Sequence, residues 1–159
     1  MVGGLEARAR GLMAKGEMTH AADVLRRGIL GTSKANPRHL NLLGICEARL
    51  GHREMAREVF QEVLTTSPRN AAALTNLGNL ALLDGDHRAA RELYTRALRE
   101  NVLLSEPRYN LVLSYQDMGH FEKAMTAYED YVAIAKAGRW SRLAVVIGVI
   151  LLLTILLKR

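Results

Sequence analysis

Three histidines are the residues of this chain whose type and spacing come nearest to metal chemistry. His52, His87 and His120 each follow a glycine within two residues, and intervals of 35 and 33 residues separate them. Packed helices lie roughly 8–10 Å apart, whereas a zinc ion needs ligand nitrogens about 2 Å away. We therefore interpret the histidines as turn residues, and the sequence predicts no metal and no cofactor.

Other patterns of catalytic residues are also missing from the sequence. It contains no nucleophile–base motif and no glycine-rich phosphate loop. Cys46 is the single cysteine, which is too few for an internal disulfide, and we interpret it as a small core residue. The sequence therefore predicts a protein that is not an enzyme.

The surplus of positive charge belongs to one end of the chain. Residues 1–135 contain 17 basic and 16 acidic residues, while the remaining five basic residues flank an apolar run near the C-terminus. A nucleic-acid-binding domain would instead carry its basic residues on one face of the fold. We therefore exclude nucleic acid as a partner.

A repeat of 34 residues organises residues 1–137. Three stretches beginning at Leu40, Leu74 and Arg108 align without gaps, and a weaker copy precedes them. Apolar residues within each copy recur at helical spacing in two runs, which predicts two helices per copy. The positions that recur at this spacing are Gly51, Gly85 and Gly119, Ala56, Ala90 and Ala124, and Phe60, Tyr94 and Tyr128.

Small residues within each copy have predicted mechanical roles. Gly51, Gly85 and Gly119 are expected to end the first helix in a left-handed conformation. Gly44 and Gly78, opposite the recurring alanines, are expected to let the two helices of a copy approach closely. The first copy carries Arg8 where later copies have leucine, as suits a terminal repeat with an exposed outer face.

These residues resemble the tetratricopeptide repeat family. Leu43, Gly44, Ala56, Phe60 and Pro68 match its pattern in one copy, and the next copy matches it at the equivalent positions except the proline, with Tyr94 as the aromatic residue. The resemblance implies an all-α fold, a right-handed superhelix of about four helix–turn–helix repeats with a concave groove lined by the first helices. The repeats are predicted at about 2–36, 37–70, 71–104 and 105–137. The fourth departs from the pattern because Val112 replaces the glycine and Tyr131 replaces a small residue.

Polar residues on the first helices are predicted to hold a segment of a partner protein. Side-chain amides can both donate to and accept from an extended peptide backbone. Asn76 and Asn110 are 34 residues apart and are expected to form a ladder, while the alternative is that such residues only solvate the surface. Charge runs from arginines in the early copies towards Glu106 and Asp117 in the last, so a ligand of opposite polarity is expected. The predicted partner-binding residues are Arg38, Asn41, Arg49, Asn76, Asn79, Tyr109 and Asn110.

The C-terminal residues 138–159 are predicted to form a membrane anchor. The segment from Leu143 to Leu157 has no charge and would rise about 22 Å as a helix, short of a hydrocarbon core of roughly 30 Å. Trp140 at the interface, with Arg142 and Lys158 reaching the head groups, lengthens the span to about 28 Å. The alternative is that the helix is buried in a partner complex.

The resemblance to the tetratricopeptide repeat family, together with the C-terminal segment, implies a tail-anchored, membrane-tethered scaffold. No N-terminal signal is apparent, so the repeats are expected in the cytoplasm, where the groove recruits a partner or supports assembly of a membrane complex. The chain has seventeen arginines against five lysines, which indicates a GC-rich genome. Such a genome favours a bacterial inner membrane, with the mitochondrial outer membrane as the alternative. The alternative function is a soluble assembly chaperone, or a permanent accessory subunit whose apolar helix is buried in its complex.

Overall fold

A computed structural model describes residues 2–32 and 35–137, and these residues are helical apart from short connections. Seven helices have defined ends, and residues 121–137 form an eighth helical segment, α8. The seven are α1 (Val2–Ala14), α2 (Met18–Leu30), α3 (Pro37–Arg49), α4 (Arg53–Thr66), α5 (Ala71–Leu83), α6 (His87–Glu100) and α7 (Glu106–Asp117). The prediction of an all-α fold with two helices per copy is confirmed.

The helix ends follow from local sequence. Asn36 and Asn70 cap α3 and α5 by accepting hydrogen bonds from the backbone N–H groups of Arg38 and Ala73, at 2.9 and 3.0 Å. The turn glycine of every copy, such as Gly85 with φ 78°, has a left-handed conformation. An L-residue would pay roughly 1–2 kcal/mol for that conformation, which explains why glycine recurs after each first helix.

The described part of the chain divides into two compact units, with the boundary between Val102 and Leu103. In the first unit, α1–α6 form three helical hairpins, and each hairpin packs on its neighbour in the chain. Their interiors are sealed by buried apolar residues from both helices of each hairpin. These include Ala9, Leu25, Leu43, Cys46, Ala56, Phe60, Val63, Leu74, Leu77, Ala90 and Tyr94.

The glycines inside the first helices make room for aromatic rings. A Cβ atom on Gly44 would lie 2.5 Å from Cε1 of Phe60, and one on Gly78 would lie 2.5 Å from Cε1 of Tyr94. Both rings are almost fully buried. The glycines were predicted to let the two helices of a copy approach closely. The structure shows in addition that each glycine accommodates the aromatic ring of the second helix in its own copy.

The fourth repeat departs from this arrangement. Val112 occupies the place of Gly44 and Gly78, and Tyr128 occupies the place of the two buried rings. Tyr128 is 49% exposed, and its ring lies 6.4 Å from that of Tyr131. Phe60 packs with Leu77 and Leu80 of the following repeat, whereas no further helix follows α8 in the described residues.

Within the described residues, no helix is both long and apolar enough to cross a membrane. The predicted anchor, with Trp140, Arg142, Leu143, Leu157 and Lys158, lies in residues 138–159, which are outside the described residues. The domain boundary at 137/138 and the anchor therefore stay predictions.

Candidate protein-interaction surface

The first helices of the three hairpins in unit 1 lie side by side. Helix α3 contacts both α1 and α5, so residues on these three helices can form one continuous surface. We call this the first-helix surface. It carries five of the predicted partner-binding residues, which are Arg38, Asn41, Arg49, Asn76 and Asn79.

Two arginines at opposite ends of α3 are exposed on this surface. Arg38 lies in its first turn and Arg49 in its last. Neither guanidinium forms an ion pair with a carboxylate in the described part of the chain, whereas Arg10 on α1 pairs with Glu6 at 2.9 Å. Both arginines can therefore pair with an acidic partner without breaking an internal contact.

Asn41 has an internal role that the sequence did not indicate. Its side chain is only 8% exposed, and its Nδ2 donates to Oδ1 of Asn70 at 3.2 Å. Since Asn70 also caps α5, the contact joins the second repeat to the start of the third. The Oδ1 atom of Asn41 is buried and finds no partner among the described residues. A direct contact between Asn41 and a ligand stays a prediction, and burial restricts it.

Asn79 supports the interior of the third repeat. Its Oδ1 accepts a hydrogen bond from the hydroxyl of the fully buried Tyr94, at 2.9 Å. One copy earlier, the same two places hold Ile45 and Phe60, which belong to one hydrophobic cluster. A polar pair has thus replaced an apolar pair, and comparing the two copies of the sequence could have revealed it.

Asn76 is the amide on the first-helix surface that fits the predicted role best. It is half-buried on α5, and no hydrogen bond to its side chain is found in the described residues. Its donors and acceptor can therefore serve a peptide backbone. Leu83 lies seven residues, or about two turns, further along the same helix, and it is 63% exposed.

The second unit carries the other two predicted residues, Tyr109 and Asn110. Tyr109 is exposed, and its ring centroid lies 5.5 Å from that of Tyr131. Asn110 is half-buried and has an interaction partner within the protein. The predicted ligand contacts of both residues stay predictions.

A buried carboxylate is the polar feature that sequence reasoning missed. Glu47 on α3 is fully buried, and its Oε1 accepts from Nη2 of Arg26 on α2. Its Oε2 lies 2.9 Å from Nδ1 of His52, at the start of α4. His52 is a turn residue as predicted, but it also contacts this carboxylate. The signal was available, because the next copy has Ala81 where Glu47 stands.

Cys46 is fully buried beside this carboxylate, as predicted for a core residue. Burial raises the pKa of its thiol, and the neighbouring Glu47 carboxylate raises it further. Because the thiolate is the reactive form, native Cys46 is expected to be inert at pH 8.

A thiol reagent such as dithionitrobenzoate should therefore label the native chain at least about tenfold more slowly than the urea-unfolded chain. Since the folded-state pKa of the Cys46 thiol is raised, its contribution to the free energy of unfolding is complete below the ordinary thiol pKa and is lost as pH rises through the raised value. Rapid stoichiometric labelling of the native protein would contradict this prediction.

Comparison with known protein families agrees with the repeat seen in the sequence. Two tetratricopeptide repeat models match residues 42–101 and 105–137, which together make up more than half of the chain. The chain belongs to the tetratricopeptide repeat family. Domains of this family are in general non-enzymatic modules that bind proteins, so this chain is a protein–protein interaction scaffold.

Solved tetratricopeptide repeat structures have the same fold. A crystal structure of MamA is 25% identical with a TM-score of 0.68, and the match covers 79% of this chain and 73% of that one. A thermophilic tetratricopeptide repeat protein of Thermus thermophilus is 19% identical with a TM-score of 0.73, covering 84% of this chain and 74% of that one. At 19% identity, the second likeness shows the fold alone. Comparison with curated proteins gave no match.

Proposed function

We propose that this tetratricopeptide repeat protein is tethered to a membrane and recruits a partner by binding an acidic, extended segment on its first-helix surface. The observation that carries the proposal is the set of polar groups on that surface without internal partners. Arg38 and Arg49 have no ion pair, and Asn76 has no side-chain hydrogen bond within the described residues.

Charge explains why the segment should be acidic. Several of the other arginines in unit 1 are neutralised by ion pairs within the chain, including Arg26 by Glu47 and Arg57 by Asp84. Arg38 and Arg49 are not, and two unpaired cations on one helix attract a carboxylate. Asn76 on the adjacent first helix adds a group that can bond to the peptide backbone.

Selection of peptides from a random display library on the full chain tests this surface. Aspartate and glutamate should be enriched among the peptides bound. The variant R38E/R49E should remove that enrichment, and Asn76→Ala should weaken a selected peptide about fivefold, since one hydrogen bond contributes roughly 1 kcal/mol.

The matched control is R96E/R99E, which reverses two exposed arginines on the second helix α6. This control makes the same change in net charge and should leave the enrichment intact. Equal enrichment in R38E/R49E and in the unmodified protein would reject the first-helix surface as the binding site.

The membrane tether is proposed from the sequence of residues 138–159. The uncharged run from Leu143 to Leu157 is flanked by Trp140 and by basic residues at both ends. These are the features of a minimal span whose ends reach the two interfaces. The proposed topology places the repeats in the cytoplasm, at a bacterial inner membrane.

Alkaline carbonate extraction distinguishes a tether from a helix buried in a partner complex. The full chain should stay in the membrane pellet, and Ile150→Lys should move it to the supernatant. A lysine at the centre of a span costs roughly 2.5–3.5 kcal/mol on insertion scales. Release of the unmodified chain by carbonate would favour the alternative, a soluble chaperone or accessory subunit.

A further inference from the structure

Helix α8 exposes three large apolar side chains on one face. Phe121 is 72% exposed, Met125 61% and Tyr128 49%. Their spacing of four and then three residues places them in one row along the helix. We call these three residues the α8 row.

The second repeat shows what such a row is for. Moving back by two repeat lengths from the α8 row leads to Arg53, Arg57 and Phe60 on α4. That row holds the first helix of the following repeat: Phe60 packs with Leu77 and Leu80 of α5, and both arginines reach Asp84 at the end of α5. The same position on α8 is therefore a place where another helix can pack.

The α8 row is also more apolar than its counterpart. Phe121 and Met125 stand where α4 has two arginines. On α4, the arginines neutralise a carboxylate of the incoming helix, whereas Phe121 and Met125 cannot neutralise a carboxylate and favour apolar contacts. Exposing these apolar groups to water is unfavourable, so covering them with another helix would be favourable.

The residues beside the row define the charge of the occupant. Glu122 and Glu129 are seven residues apart and lie along one edge of the row. Both are exposed, and neither has an ion pair in the described part of the chain. In an antiparallel pairing of two copies centred on the row, these glutamates would face each other, and like charges would oppose that register.

We propose that the α8 row binds a basic amphipathic helix of a partner protein. By analogy with Leu77, Leu80 and Asp84 of α5, the partner helix contacts the row through positions i, i+3 and i+7. All three positions are apolar, because the row has no cation for an aspartate. Lysine or arginine on the partner faces Glu122 and Glu129. This site lies outside the first-helix surface and does not depend on the proposed function.

Two synthetic peptides test the proposal. Each peptide has about 18 residues, because shorter isolated helices are marginal in water. Each carries leucines at positions i, i+3 and i+7, which span two helical turns. One has lysines beside the leucines and the other has glutamates. Fluorescence anisotropy measures their binding to the full chain in phosphatidylcholine nanodiscs, and the signal from empty nanodiscs is subtracted. If alkaline carbonate extraction releases the chain from membranes, the same measurement is made in buffer.

The lysine peptide should bind at least about tenfold more tightly than the glutamate peptide, which corresponds to 1.4 kcal/mol. F121S/M125S should weaken binding by a similar factor, and E122K/E129K should reverse the preference between the peptides. The control is Leu83→Ser, which removes an exposed leucine from unit 1 and should change nothing.

Two results would overturn the proposal. The first is equal binding of the two peptides, or binding that F121S/M125S leaves unchanged. The second is a concentration-dependent dimer of the chain that F121S/M125S abolishes, because a second copy would then be the occupant. Circular dichroism of each variant shows that a loss of binding is not a loss of helix.

Discussion

Replacing Arg26 with methionine is expected to lower the free energy of unfolding by about 3 kcal/mol. The substitution keeps most of the side-chain stem but removes the guanidinium group, which donates a hydrogen bond to Oε1 of Glu47. Glu47 is fully buried, so its carboxylate would keep only the contact with His52. Because 40% of the Arg26 side chain is exposed, water reaches the site in part, and we expect the lower end of the range for broken buried pairs.

Equilibrium urea denaturation followed by circular dichroism measures this loss. The matched control is Arg27→Met on the same helix, where an exposed arginine has no ion pair in the described residues, and a change within about 0.5 kcal/mol is expected. The double variant R26M/E47M should recover most of the loss, since apolar residues often replace a buried ion pair without cost. Equal effects of Arg26→Met and Arg27→Met would show that the buried carboxylate does not need its partner.

Replacing Gly78 with alanine is expected to destabilise the protein by about 2 kcal/mol, although alanine is the better helix former. The new Cβ would lie 2.5 Å from Cε1 and 2.7 Å from Cδ1 of Tyr94. The ring cannot retreat easily, because it is fully buried and its hydroxyl donates to Asn79 at 2.9 Å.

The control for Gly78→Ala is Gly11→Ala in α1. A Cβ on Gly11 would meet nothing within 4 Å, so the helix propensity of alanine should raise stability by about 0.5–1 kcal/mol. Thermal and urea unfolding of both variants give the comparison. Opposite signs are expected from the same chemical change, and a stabilising Gly78→Ala would show that the ring is not held against the helix.

The candidate site was predictable from the sequence only in part. The 34-residue phase placed Arg38, Arg49 and Asn76 on first helices, and each is accessible in the structure. The same phase placed Asn41 and Asn79 there too, but their amides bond to Asn70 and Tyr94. Helical phase shows which side of a helix a residue occupies, but it does not show which neighbour approaches that side.

The sequence by itself determined the repeat, the two helices per copy and the turn glycines, because these depend on periodicity and local backbone preference. Only the tertiary structure decided that Glu47 is paired with Arg26 of α2 and with the turn residue His52, and that Gly78 accommodates the ring of Tyr94. It also decided that the α8 row is exposed. These features depend on side chains from different helices meeting in three dimensions, and the spacing of residues along one helix does not encode such contacts.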